Sequence, residues 1–196
     1  MSMPFDAESR QSDTSLLRRY AAGDARAARA LTQRLSPMVF RVAVRLLGDR
    51  AEAEDIAQEA MLRLWRIAPD WREGDASVST WLYRVTVNLC TDRLRSPRSR
   101  SAGWPDDFDP PDDTPGPEMR LQEAARATAL ESALGVLPER QRTAVVLRNL
   151  EGLSNPEIAD IMDVSVEAVE SLVARGKRAL AKLLAKQREE LGFSDD

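Results

Sequence analysis

The chain has 196 residues, no histidine and one cysteine, Cys90, and those counts remove most familiar catalytic chemistry at once. Nucleophile–histidine catalysis needs an imidazole to take the proton, and a zinc site needs imidazoles or several thiolates. No glycine-rich phosphate loop, metal cluster or activated nucleophile stands in the sequence, so an enzyme is the least supported class and no cofactor or metal is expected. A lone cysteine excludes an intramolecular disulfide, and Cys90 lies in an apolar-periodic stretch where a small buried side chain is its ordinary role. The polar residues that remain are suited to recognition. Asp55, Gln58 and Glu59 share the polar side of one helical stretch, a pattern that most often means only a solvated face. Arg84, Asn88, Asp92 and Arg95 recur three to four residues apart on another. Ahead of them, Trp71 and Arg72 open a loop that ends at Ser77, and a flat ring beside a guanidinium is what holds unpaired bases, although a tryptophan packed on the bundle explains the same residues. Toward the end, Ser165, Glu167, Ser171, Arg175 and Arg178 fall on the outward side of one more helix. Ser171 and Arg175 there are able to meet base edges or phosphates in a major groove.

The elements that must position these groups read as helices. Aromatic residues make up 5% of the chain and β-branched runs are few, which leans toward helix. Apolar periodicity predicts helices over residues 14–22, 24–47, 51–67 and 79–95. In the third, Ala57, Ala60, Met61, Leu64 and Trp65 make one apolar stripe; in the fourth, Trp81, Leu82, Val85 and Leu89 do. Residues 97–117 are dense in proline and aspartate, so neither helix nor sheet runs through them, and about twenty such residues usually join separate domains. Beyond them, helices are predicted over 118–134 and 139–150. Ser154 and Glu157 then form a capping box, Asp163 supplies a left-handed turn, and Ser165 caps a last helix carrying Val166, Val169, Leu172 and Val173 inward. Two capped helices joined so closely, with small Ala159 at their crossing, predict a helix-turn-helix; a plain helical hairpin is the alternative. The expected fold is therefore all-α: a disordered start over 1–12, a helical domain over 13–96, a flexible acidic proline-rich linker over 97–117, a helix-turn-helix domain over 118–190, and a tail over 191–196.

A net charge of −4 argues at first against nucleic acid as a partner. Its distribution reverses the argument. Asp106, Asp107, Asp109, Asp112, Asp113 and Glu118 crowd residues 104–118, while bases crowd on either side of that stretch, among them Arg84, Arg93, Arg95 and Arg98 before it and Arg175, Lys177, Arg178 and Lys182 after it. No apolar run approaches the roughly 18 residues that cross a bilayer, and the acidic start lacks the blocks of a signal peptide. No membrane insertion is expected, and the protein is read as cytoplasmic.

Taken together these stretches resemble the extracytoplasmic function sigma factors of the sigma-70 family, over nearly the whole chain. Residues 53–60 (Ala-Glu-Asp-Ile-Ala-Gln-Glu-Ala) resemble the family's core-polymerase-binding motif in region 2. Residues 79–88 (Ser-Thr-Trp-Leu-Tyr-Arg-Val-Thr-Val-Asn) resemble its promoter-melting helix, and residues 137–142 and 153–159 resemble region 4. The resemblance implies that Asp55, Gln58 and Glu59 dock on the β′ clamp helices of RNA polymerase core. It implies that Asn88 reads a base turned out of the −10 element, with Trp71, Arg72, Arg84 and Asp92 around it. It also implies that the helix from Ser165 reads the −35 element of promoter DNA, that region 4 contacts the β flap, that the linker threads toward the RNA exit path, and that an anti-sigma factor holds the protein inactive. Many relatives carry bases where this chain has Glu170 and Leu172, so weaker phosphate attraction is expected there.

Two other classes remain open on the residues alone. A stand-alone duplex-binding regulator shares the helix-turn-helix but needs neither the Asp55-Gln58-Glu59 face nor the Trp81 to Asn88 helix. A protein-sequestering module explains the acidic total but leaves both basic clusters idle.

Overall fold

The computed structural model describes residues 12–72, 76–96 and 117–190, the side chains of 117–125 and 186–190 excepted. The expectations for the chain start, the linker and the tail, and for Glu73, Gly74 and Asp75 of the Trp71 loop, lie outside the described residues.

Within them the chain is helical throughout, and side-chain caps set most starts. Ser12 accepts from the Ser15 amide at 3.2 Å and begins α1 (Asp13–Ala21); Asp24 accepts from Arg26 at 2.9 Å and begins α2 (Ala25–Leu47). Asp49 accepts from Glu52 at 3.0 Å at the head of α3 (Arg50–Ile67), and Ser77 accepts from Thr80 at 3.1 Å at the head of α4 (Val78–Arg95). Each cap satisfies an amide that the helix itself leaves unpaired, worth about 1 kcal/mol. Gly48 closes α2 in the left-handed region at φ 69°, which turns the chain directly into α3. Pro37 sits inside α2 without ending it. A first core fills the space among α1 to α4, with Leu16, Leu31, Leu64, Val78 and Leu82 essentially removed from solvent.

Beyond the linker come α5 (Pro117–Val136), α6 (Glu139–Val145), α7 (Asn155–Met162) and α8 (Val166–Glu190). Two features depart from the expected outline. The helix expected over 139–150 widens at its end into a π turn, Val146–Leu150, where the Glu151 amide donates to the Val146 carbonyl at 3.0 Å. And α8, expected as far as Leu184, runs on to Glu190.

The capping box forms as expected: the Ser154 hydroxyl accepts from the Glu157 amide while the Glu157 carboxylate accepts from the Ser154 amide at 2.8 Å. Asp163 takes the left-handed conformation at φ 52° and ends α7. A β-carbon built on Gly176 of α8 would stand 2.5 Å from Val145 Cγ2 and 3.2 Å from the Gln141 carbonyl, so α8 lies against α6 at a distance only glycine permits.

The second core is not confined to these helices. Leu134, Val146, Ile158 and Val169 are buried in one cluster with Val42 and Leu46 of α2 and with Tyr83, Val87 and Cys90 of α4. The sequence treats the two helical units as separately cored; in the structure the second unit seats directly on the first.

Candidate nucleic-acid interface

Three polar faces carry the candidate residues. On α3, burial of Ala53, Ile56, Ala60, Met61 and Leu64 turns the opposite side outward, and Asp55 and Gln58 stand exposed on it. Glu59 is 36% exposed and accepts from Arg63 Nε at 2.8 Å, a hydrogen bond that holds its carboxyl below the usual range. At helical spacing, Asp55, Glu59, Leu62 and Arg66 form one row. Leu62 is 48% exposed in the middle of that row, a large apolar side chain ringed by acids and arginines. The sequence reading missed it, because apolar periodicity is scored for the buried side only. An apolar centre with a polar rim is how protein interfaces are commonly built.

On α4, Arg84, Asn88 and Asp92 are exposed four residues apart and make a continuous row. Ser77 ties the head of the helix by accepting from the Thr80 amide, and its hydroxyl also contacts those of Ser79 (2.9 Å) and Thr80 (2.8 Å). Arg72 is exposed. Trp71 is half-buried: its ring meets that of Trp81 edge-on, with centroids 6.0 Å apart and planes at 86°, and it packs on the first core. Trp71 thus spends one side on the bundle, as the alternative reading of the loop had it, and together with Trp81 makes an aromatic wall near the start of α4.

On α8, the Ser165 hydroxyl caps the helix by accepting from the Ala168 amide at 3.2 Å. Glu167 is exposed, its carboxyl held low by its own backbone amide and then by the Ser165 hydroxyl. Ser171, Arg175 and Arg178 are exposed along one side. Arg175 Nε donates to the Ser171 carbonyl at 3.1 Å and Arg178 Nε to the Ala174 carbonyl at 3.3 Å. Those bonds steady each side chain through Nε alone and leave the terminal amino groups for a ligand. Beside them lies a shallow depression of about 450 Å³ lined by Arg148, Asn155, Glu170, Val173, Lys177 and Arg178. Three cations against one carboxylate suit a phosphate, and Glu170 offsets part of their attraction. Arg148 was not singled out from sequence; it sits inside the π turn at the end of an apolar run, and only the fold brings it next to α8.

Two stretches match family models: residues 31–100 match sigma-70 region 2, and residues 127–180 match sigma-70 region 4. Over 180 residues the chain is 35% identical to the ECF RNA polymerase sigma factor SigM of Mycobacterium tuberculosis, covering 92% of this chain and 88% of that one. The chain belongs to the extracytoplasmic function (ECF) sigma factors. These are transcription initiation factors and not enzymes. A second relative of this sigma factor is ECF RNA polymerase sigma factor SigE of Mycolicibacterium smegmatis, 36% identical over 166 residues. That match covers 84% of this chain and spans only 64% of SigE. Among solved structures, CnrH in complex with the cytosolic domain of CnrY is similar at a TM-score of 0.66 and 26% identity, over 90% of this chain and 99% of that one. All the candidate residues of the sigma factor, from Asp55 to Arg178, lie within the two matched stretches. Among the described residues no helix is long and apolar enough to cross a membrane.

Proposed function

We propose that this sigma factor docks on RNA polymerase core through the Asp55, Gln58 and Glu59 face of α3, with Leu62 as its apolar centre, and directs initiation from a restricted set of promoters. Asn88, with Arg84, Asp92, Trp71 and Arg72 around it, receives a −10 base turned out of the stack. An exposed carboxamide two turns along α4 from an aromatic wall at its start offers hydrogen bonds, and the wall a stacking surface, of the kinds that favour the melted strand. The helix from Ser165, with Glu167, Ser171, Arg175 and Arg178, anchors the −35 element. Its own affinity is modest because Glu170 stands among the phosphate-facing cations, and tethering to polymerase supplies the rest. The protein works where polymerase works, in the cytoplasm. An anti-sigma factor controls it; the CnrH structure, which holds a second polypeptide, supports such a partner.

The observation that carries this reading is the separation of three exposed recognition faces onto three helices, one acidic with an apolar centre and two built for nucleic acid. Co-purification with core polymerase tests the first of them. Glu59→Lys is expected to weaken core binding roughly ten-fold or more, about 1.4 kcal/mol, as reversal of an interfacial charge does. Helicity should be unchanged, since Glu59 meets only exposed arginines here. Retention of core by a folded Glu59→Lys protein would contradict the assignment of this face.

A further inference from the structure

The outward side of α8 carries two rows of side chains spaced four residues apart, and the two are built alike. Glu167, Ser171 and Arg175 make one, Glu170, Ala174 and Arg178 the other, and all of them are exposed. Each row begins with a carboxylate, passes a small residue and ends with a guanidinium. The charged ends stand eight residues apart, about 12 Å along the axis at about 1.5 Å each, and no ion pair joins them. Acids therefore occupy the start of α8, and bases follow.

The two carboxylates differ in what they hold. Glu167 is engaged at the head of the helix, by its own backbone amide and the Ser165 hydroxyl. Glu170 is not. Its neighbours three and four residues away along α8 are Glu167, Val166, Val173 and Ala174, none of which can donate a side-chain hydrogen bond. Its carboxylate makes no hydrogen bond or ion pair with any described residue, although Arg148, Lys177 and Arg178 line the same depression. Arg178 is turned instead toward the Ala174 carbonyl, to which its Nε donates at 3.3 Å. An ionised acceptor is thus left open among cations, ready for a donor from outside the chain.

On duplex DNA such a carboxylate is repelled by phosphate and attracted only by the amino groups on the groove floor. Guanine offers the major groove acceptors alone, and thymine an acceptor and a methyl group. Adenine has an amino group, but its N7 acceptor lies beside it. Cytosine has an amino group and no acceptor on its own edge, so a carboxylate meets it without facing a lone pair. The first turns of a recognition helix are the part that reaches base edges, and Glu170 stands there. The cations around the depression suit the flanking phosphates.

We infer that Glu170 is a specificity-determining residue of the −35 contact: its carboxylate accepts a hydrogen bond from the exocyclic amino group of a cytosine, while Arg148, Lys177 and Arg178 hold neighbouring phosphates. The inference rests on the function proposed above, in which α8 enters the major groove of the −35 element. It gives a use to a charge that otherwise only weakens the hold on DNA. Affinity falls, and discrimination rises.

Initiation by core polymerase carrying the full-length chain tests it, on a library of one mapped promoter randomised across its −35 element, with Glu170→Ala and Glu170→Arg beside the wild type. The wild type is expected to favour cytosine at one position by roughly ten-fold, within the range for a single base contact. Glu170→Ala should level that position and leave the others as they were. Glu170→Arg should turn its preference to guanine, whose O6 and N7 accept from a guanidinium. Circular dichroism should be unchanged for both, since Glu170 is exposed and unpaired. A wild type with no cytosine preference would overturn the inference, as would a Glu170→Ala protein that keeps it. So would a Glu170→Ala protein that gains on every −35 sequence alike, the mark of bulk charge rather than base reading. In each of those cases, preferences surviving at the other −35 positions would show that only the assignment of Glu170 had failed. A wild type indifferent to every −35 position would instead overturn the placement of α8 in the groove, and the inference with it.

Discussion

Cys90 sits at 1% exposure on the side of α4 that faces the second unit, and burial pushes its thiol up to about 12 from an ordinary value of 9.0. Tyr83, one helical turn before Val87, is pushed up too, first by burial and then by the Glu151 carboxylate. Both groups are held neutral by folding while the unfolded chain ionises them, so the sign of their effect on stability is fixed. Their contribution is complete below the unfolded value and is lost as pH rises through the folded one. For the thiol that window runs from about pH 9 to about pH 12. Denaturant stability should therefore fall across it, and Cys90→Ala should make the fall shallower by up to one proton, about 1.4 kcal/mol per pH unit. Parallel slopes for the two proteins would contradict it. The burial of Cys90 was legible in the sequence from its place in an apolar-periodic stretch. That of Glu151 was not, because a glutamate before a glycine reads as a solvated turn until two arginines more than a hundred positions away are seen to enclose it.

Among elements, α8 shows what local rules deliver and where they stop. Its start was legible, since Asp163 and Ser165 impose a left-handed turn and a cap whatever the tertiary context. Its closest contact was not, since Gly176 inside an apolar-periodic helix looks merely unfavourable. The structure gives the reason: α6 passes too near for a side chain. Gly176→Ala gains up to about 1 kcal/mol of helix propensity but forces the pair apart at a cost of about 1–3 kcal/mol. A thermal midpoint lower by roughly 2–6 °C is expected. A raised midpoint would mean that α8 does not need this close approach. The helix α4 teaches the same lesson in another form. Its first apolar side, Trp81, Leu82, Val85 and Leu89, was readable from period alone. The second, Tyr83, Val87 and Cys90, was not, because two adjacent apolar sides look like one wide stripe until a partner for the second is known. Likewise the π turn at Val146–Leu150 has no distinguishing residue type, and an apolar run continues a helix equally well.

At the scale of the whole molecule, the net charge of −4 says little until it is divided. Bases gather on α4 and α8 and acids on α3 and the linker, so a protein that is acidic overall still carries exposed cationic rows on two helices, apart from the Asp55 and Glu59 row around Leu62 on a third. The two helical units were legible from the proline-dense interval between them. Their closure onto one another was not, because it depends on complementary faces that no local pattern pairs. The account's central claim is that the assembled molecule selects promoters for polymerase. Transcription in vitro with purified core on fragmented genomic DNA, followed by mapping of start sites, measures it directly. The account predicts starts at a restricted set of sites that are absent with core alone, abolished by Glu59→Lys and reduced by Asn88→Ala. Starts no different from those of core alone would contradict it and leave the helix-turn-helix to a regulator that binds duplex DNA by itself.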